Sequence, residues 1–384
     1  MFNPELVQKF KRYPTPFYYY DLNLLRKNLN VLTEASSKYG FKIHYAMKAN
    51  ADERILDLIS EFGFGADCVS GNEVKKALQM GFPKNEIVFA GVGKSDAEIL
   101  VALENEIQCI NCESIQELEV VQFLAEKLGK TASIAIRINP DLDAHTHRYI
   151  TTGLDENKFG IHQGDLIDAL ERIDSLKNLN YFGLHFHIGS QITDLDVFQK
   201  LCNKVNEIQD MIEKQGVHAS NLNLGGGLGV DYYNPDENLT TDYHSYFDLF
   251  HNFLKLQPDQ TVHFELGRSL VAQCGTLIGR VLYVKKGITT QFTVLDAGMT
   301  ELIRPALYQA YHKIENLTGT GKIQKYDVVG PVCETSDCFG KAVELPEVCR
   351  GDLIAIRTAG AYGEVMASRY NMRDPAKVLY SDTI

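Results

Sequence analysis

Eight runs of apolar or alternating residues punctuate positions 41–270, and most of them run at their C-terminal end into a lysine, carboxylate, histidine or glycine cluster. The runs are Lys42–Lys48, Phe64–Ser70, Ile87–Gly91, Ile107–Glu113, Ser133–Asn139, Tyr181–Ile188, Asn221–Gly227 and Thr261–Gly267. Between them lie segments with apolar residues at helical spacing, among them Glu73–Met80, Ile115–Lys127, Asp165–Leu176, Val197–Gln215 and Tyr243–Leu256. Strands and helices that alternate in this way build a parallel sheet with crossover helices. Eight such units close into an α/β, TIM-like (β/α)8 barrel, which places its active site at the C-terminal ends of its strands. The polar clusters fall where such a fold does its chemistry.

A barrel takes about 250 residues, so a chain of 384 has a second unit to build. Pro14–Asp21 reads as a short aromatic strand, followed by a helix over Leu22–Tyr39. After Val271 the helical segments stop, and β-type runs take over at Thr276–Lys285, Gln291–Asp296, Tyr326–Val329 and Asp352–Arg357. The expected division is a barrel over 22–270 and a mostly β domain from 1–21 with 271–384, the early strand pairing into the latter.

A formal net charge of −12 argues against a nucleic-acid or anionic-membrane surface. The N-terminus shows no leader pattern and no uncharged run is long enough to cross a bilayer, so the expected compartment is cytoplasmic. The eight cysteines have no paired framework. Cys109 and Cys112 form one C-x-x-C, but no second pair follows at zinc-ribbon spacing, and no metal is expected.

Four strand ends carry the chemistry. Lys48, in Tyr45–Asn50 (YAMKAN), closes the first barrel run. A lysine in a partly desolvated mouth can form a Schiff base, although a strand-end lysine also simply snorkels to solvent. Gly225, Gly226, Gly227 and Gly229 close the seventh run, where backbone N–H groups either cradle a phosphate or make a tight turn. His185 and His187 share a strand face and point inward. A zinc pair lacks further ligands nearby, and an imidazole stacked on a flat cofactor, with Ser190 on its phosphate, fits better. Glu265 closes the eighth run and needs a cationic or protonated partner. That partner is either Arg268, as a structural ion pair, or a pyridinium nitrogen. Together these features have one economical explanation, pyridoxal phosphate bound through Lys48 and made a strong electron sink by Glu265.

At this point the chain resembles the fold-type III pyridoxal-phosphate decarboxylases, and among them the diaminopimelate decarboxylases. The match is carried by YAMKAN (45–50), the stretch from His145 through Lys158 to Ile161, HFHIGSQ (185–191), GGGLG (225–229) and Glu265 with Gly267 and Arg268. It continues through Asp296 to Tyr308, Gly330 to Asp337, and Gly360 to Asn371. The resemblance implies decarboxylation of meso-2,6-diaminopimelate to L-lysine. It implies that Lys48 carries the cofactor, His187 stacks on its ring, and Asp67, Ser190, Gly227, Glu265, Gly267, Arg268 and Tyr370 hold it. It assigns the substrate's distal carboxylate to Arg268, Arg304 and Tyr308, with Tyr370 beside them, and its distal ammonium to Glu334. Cys333 matches the residue expected to protonate the carbanion, and it would come from the partner subunit of a homodimer with shared active sites.

Two departures are local: Leu266 stands where the family commonly has proline, and Asn72 where it has a second glycine. Alanine-racemase-like isomerases set an arginine against the ring nitrogen, which Glu265 disfavours. A non-catalytic relative would need neither Lys48 nor Cys333. The remaining alternative is a polyamine-pathway decarboxylase acting on carboxynorspermidine, ornithine or arginine. Ornithine and arginine have no distal carboxylate to meet Arg304.

Overall fold

The computed structural model describes residues 2–142 and 158–384. The chain forms two compact units, one from residues 29–229 with 242–267 and the other from 1–28, 230–241 and 268–384. The strands in chain order are β1 (Phe17–Tyr20), β2 (Lys42–Ala46), β3 (Gly65–Cys68), β4 (Ile87–Phe89), β5 (Cys109–Cys112), β6 (Ala132–Asn139), β7 (Ile161–His162), β8 (Leu179–Phe186) and β9 (Asn221–Asn223). They continue with β10 (Thr261–Leu266), β11 (Gly275–Lys286), β12 (Gln291–Leu295), β13 (Ile314–Asn316), β14 (Ile323–Val329), β15 (Cys338–Pro346), β16 (Leu353–Ile356) and β17 (Lys377–Tyr380).

In the first unit, β5-β4-β3-β2-β10-β9-β8-β6 hydrogen-bond in that order, and β6 returns to β5, which closes an eight-stranded parallel barrel. The short β7 adds to the free edge of β6 at Ile138 and Asn139. Each expected barrel run overlaps one of these strands, although β6 and β8 start one and two residues before their runs. Except for β6, which runs to Asn139, the observed strands end before their runs do because the terminal residues leave the ladder to turn toward the next helix: Lys48 lies in a 3-10 turn over Met47–Ala49 rather than in β2. Side-chain caps set several helix starts. Asp52 accepts from the N–H groups of Arg54 and Ile55, and Ser70, Ser114 and Asp242 each accept from the N–H three residues on. The crossover helices turn their apolar stripes onto the barrel wall, so Leu118, Val121, Leu124 and Ala125 of Ile115–Leu128 are all buried.

The second unit is an antiparallel-rich sheet of order β13-β16-β11-β12-β14-β15. The early strand does pair into it: β1 runs antiparallel to β11, with Phe17 opposite Ile278, and parallel to β17. Phe10, Phe17, Tyr19, Ile278, Leu353 and Ala355 form its core, with the Phe10 ring centroid 5.0 Å from that of Tyr19. Strands β13, β15 and β17 had no expectation from sequence; β15 carries Gly340, Lys341 and a positive-φ Ala342, which break its apolar pattern.

The unit boundaries differ from the expected 22 and 270. Residues 22–28, 230–241 and 268–270 belong with the β unit. Side-chain hydrogen bonds explain the shift. Asn28 Nδ2 donates to the carbonyls of Ser269 (2.8 Å) and Leu270 (2.9 Å), and its Oδ1 accepts from the Thr241 N–H. Arg357 ties Asp236 of the inserted segment through Nη2, at 2.9 Å.

Candidate functional site

The mouth of the barrel is built around one buried carboxylate. Glu265, near the end of β10, is 5% exposed. Its Oε2 faces His185 Nε2 of β8 at 3.0 Å. Its Oε1 accepts from Asn223 Nδ2 of β9 at 2.8 Å and from Asn111 Nδ2 of β5 at 3.4 Å. The parallel ladders put these inward-facing positions at one level, so four strands supply one hydrogen-bonded set. Burial would raise the Glu265 carboxyl, but the His185 hydrogen bond and the Lys48 charge outweigh it and hold the group well below the ordinary carboxylate range. The structural pairing of Glu265 with Arg268 weighed from sequence is not the one recorded; Arg268 belongs to the other unit and donates to Tyr232.

Lys48 Nζ lies 3.1 Å from Oδ2 of Asp67, whose side chain is fully buried at the end of β3. Burial and the nearby Glu265 charge push Asp67 up to about 7, against the pull of Lys48. Its other oxygen, Oδ1, is buried with no hydrogen-bond partner among the described residues. The resemblance put Asp67 beside a phosphate; the structure puts it beside the lysine.

The glycine loop after β9 is shaped by close backbone approaches. A Cβ on Gly225 would strike the Phe186 carbonyl, and one on Gly226 would strike the Glu265 carbonyl. Gly227 has φ +103° and leaves only 2.7 Å between a Cβ and the Gly189 carbonyl. The loop is pinned to the segment after β8, with Ile192 N–H donating to Gly227 O at 2.8 Å and Gly229 N–H to Ile192 O at 2.9 Å. Ser190 lies in that same segment, partly buried. His187 follows β8, and its Nδ1 accepts from the Gly226 N–H at 3.2 Å. Burial, with Lys48 and Arg137 nearby, lowers its pKa well below the ordinary value, which leaves a neutral ring. Gly267 is buried, and a Cβ there would come within 3.0 Å of Ala49 and 3.1 Å of Ala46, so its lack of a side chain lets β10 and the turn carrying Lys48 meet.

An ion pair that the sequence reading missed lies on the strands opposite. Arg137 Nη1 of β6 meets Glu113 Oε1 at 2.8 Å, both side chains buried. The Glu113 carboxylate also accepts from the Gly91 and Gly160 N–H groups. Burial raises Glu113, and Arg137 with Lys94 brings it net below the ordinary range. An arginine on the inward face of the Ser133–Asn139 run was the available signal. Cys109 and Cys112 are buried thiols on opposite faces of β5, and among the described residues no group of three potential metal ligands occurs.

The β unit holds the other expected residues in two groups. Arg268 Nη1 and Arg304 Nη1 both donate to the Tyr232 hydroxyl, at 2.7 and 2.8 Å. Arg304 also meets His312 Nε2 at 3.1 Å, and His312 Nδ1 lies 2.8 Å from the Arg357 carbonyl. Burial and the two guanidiniums push His312 down to about 3, so it stays neutral. Burial lowers Arg304, and the Arg268 charge adds to this against the pull of Tyr232, whereas Tyr232 brings Arg268 net above its ordinary value. Tyr308, half-buried, closes the helix Arg304–Tyr308. Tyr232 and His312 escaped the sequence reading because no motif flanks them.

The second group is exposed. Cys333 and Glu334 stand on a loop organised by Asp337, which accepts from the Val332 and Met299 N–H groups. Tyr370 donates its hydroxyl to Glu334 Oε1 at 2.8 Å, and the Cys333 N–H donates to Asn371 Oδ1 at 3.3 Å. The motif that begins at His145 lies outside the described residues up to position 157.

Residues 24–272 match the pyridoxal-dependent decarboxylase family, pyridoxal binding domain. The diaminopimelate decarboxylase of Bacteroides thetaiotaomicron is 55% identical over 98% of both chains. That of Helicobacter pylori strain J99 is 43% identical over 97% of this chain and 91% of its own. Among solved structures, the Helicobacter pylori diaminopimelate decarboxylase complexed with L-lysine superposes with a TM-score of 0.92 at 42% identity, covering 97% of this chain and 93% of that one.

The Asp67 shift sets a stability trend in the ligand-free protein. The unfolded carboxyl ionises near its ordinary 3.8, whereas the folded one holds its proton to about 7. A folded pKa raised above the unfolded one favours folding at low pH, and this advantage is lost as pH rises between the two values. Wild type should therefore lose stability relative to Asp67→Asn as pH rises from about 4 to about 7 and run parallel to it above. Urea unfolding across that range checks this; a difference that stays constant contradicts it.

Proposed function

The chain belongs to the pyridoxal-dependent decarboxylases, and we propose that within this family it converts meso-2,6-diaminopimelate to L-lysine and carbon dioxide, the last step of lysine biosynthesis. The barrel mouth fits pyridoxal phosphate on three counts: a lysine amine just past a strand end, a glycine loop packed so closely on neighbouring backbone carbonyls that no side chain fits, and a buried carboxylate suited to a protonated ring nitrogen. When bound, pyridoxal phosphate supplies an electron sink for the electron pair left by the departing carboxylate.

The protein's own residues do the rest. Lys48 carries the cofactor covalently. Asp67, His187, Ser190, Gly227, Glu265, Gly267 and Arg268 hold it, with Tyr370 near its phosphate. The neutral His187 offers a flat face without adding charge. Arg268, Arg304 and Tyr308 take the distal carboxylate, Glu334 takes the distal ammonium, and Cys333 returns a proton to the α-carbon. The observation that carries the substrate is the convergence of two buried guanidiniums on one phenol. Buried cations favour an anion between them, and a planar fork suits a carboxylate. Ornithine or arginine would bring a cation there, at a cost of several kcal/mol, which leaves the polyamine-pathway reaction as the weaker reading.

We also propose a homodimer in the cytoplasm whose active sites each draw Lys48 from one subunit and Cys333 from the other. The exposure of Cys333, Glu334 and Tyr370 supports this, since reactive groups on a surface loop are placed to act on a neighbour. No helix among the described residues is long and apolar enough to cross a membrane, and no described cysteine is disulfide-bonded.

Purified protein given pyridoxal phosphate and meso-diaminopimelate should release lysine and carbon dioxide, and should leave ornithine and arginine untouched. Arg304→Met should lose about a hundredfold or more in kcat/KM, because one charge-assisted interaction is worth about 3 kcal/mol. Wild-type efficiency in that variant would remove the substrate assignment. For the shared site, Lys48→Ala and Cys333→Ala should each be nearly inactive alone. Mixed equally and exchanged, half the dimers are hybrids with one intact site each, so activity should return to about a quarter of wild type. No recovery after verified exchange would place both residues in one chain's site.

A further inference from the structure

We propose that His185 is a positioning residue: as a neutral imidazole it donates its Nε2 proton to Glu265, keeping that carboxylate anionic and its last acceptor edge turned to the cofactor's ring nitrogen. This rests on the reading above that Glu265 meets that nitrogen.

The geometry limits the choices. An ionised carboxylate has about four acceptor positions. Asn223 and Asn111 fill two on Oε1, and His185 fills one on Oε2. Among the described residues this leaves one position, on the oxygen that His185 holds. The two amides are neutral donors, so the charge of the cluster depends on how many protons His185 carries.

His185 is 1% exposed, and its Nδ1 is buried without a partner among the described residues. A second proton there would bury a cation with an unmet N–H donor, which costs more than an unmet lone pair. An imidazolium would also neutralise Glu265 and leave the ring nitrogen no reason to keep its proton. The other ionisable side chains that act on Glu265 do not take over this role. Lys48 pairs with Asp67, and the His187 Nδ1 accepts from Gly226. His44, which acts on the same carboxylate only through space, hydrogen-bonds His263. A histidine that donates one proton and withholds a second thus makes Glu265 a full counter-ion for a pyridinium.

Nitrogen-15 NMR of the holoenzyme tests this directly. With labelled histidine, wild-type His185 should show a protonated Nε2 and an unprotonated Nδ1; two protonated nitrogens would overturn the proposal, whatever any variant does. With pyridoxal phosphate labelled at its ring nitrogen, wild type and His185→Gln, which keeps a donor, should both give the pyridinium signal. His185→Leu should move it toward the unprotonated position and lower kcat more than tenfold with KM nearly unchanged. A pyridinium signal unmoved in His185→Leu would overturn the proposal. Glu265→Gln separates the two levels: no change there would remove the underlying assignment of Glu265 itself.

Discussion

A carboxylate buried inside a parallel barrel is the constraint around which the mouth is organised. Removing such an ion from water costs several kcal/mol, and each hydrogen bond to a charged group returns about 1.5–3. Glu265 therefore needs its three donors, and they come from β8, β9 and β5. Only a closed barrel in a fixed register brings those strands to one level around β10. The same closure puts Asp67 and Lys48 beside the carboxylate, where the Glu265 charge raises Asp67 and Lys48 lowers it.

The glycine loop follows from the same crowding. Its Gly226 passes so near the Glu265 carbonyl that no side chain fits, and the 265 N–H donates in turn to the Gly225 carbonyl at 2.8 Å. Carboxylate and cradle are thus fixed to each other through the backbone, and a substitution in one displaces the other. The β unit shows the opposite sign of the same physics. Arg268 and Arg304 are buried against one phenol and a neutral histidine, so the charge that would settle them best is that of an incoming anion.

Most of the barrel was legible because each strand is a short apolar run flanked by turn or helix signals, and the chemistry sits where those runs stop. Lys48, His187, Glu265 and the glycines could be read from such positions. Asn111 and Asn223 could not, because a polar residue on an inward strand face has the same sequence whether it points at a carboxylate or at solvent. Tyr232 and His312 were hidden by distance along the chain: Arg304 meets Tyr232 across 72 positions. The boundary of the units was misplaced for a similar reason, since the tie between Asn28 and residues 269–270 spans more than 240 positions. Strand β15 and the short β17 lack the apolar alternation that marks a strand, and their place is set by the partners they pair with.

On the proposed reading, the barrel mouth holds one cofactor on Lys48 against the charge of Glu265. Borohydride reduction of the holoenzyme, followed by peptide mass mapping, tests it most directly. The protein should be yellow, should bleach on reduction, and should carry the reduced pyridoxyl group on the peptide that contains Lys48 and on no other. Recovery of the label on any other lysine, or an unlabelled Lys48 peptide from fully bleached protein, would contradict the account.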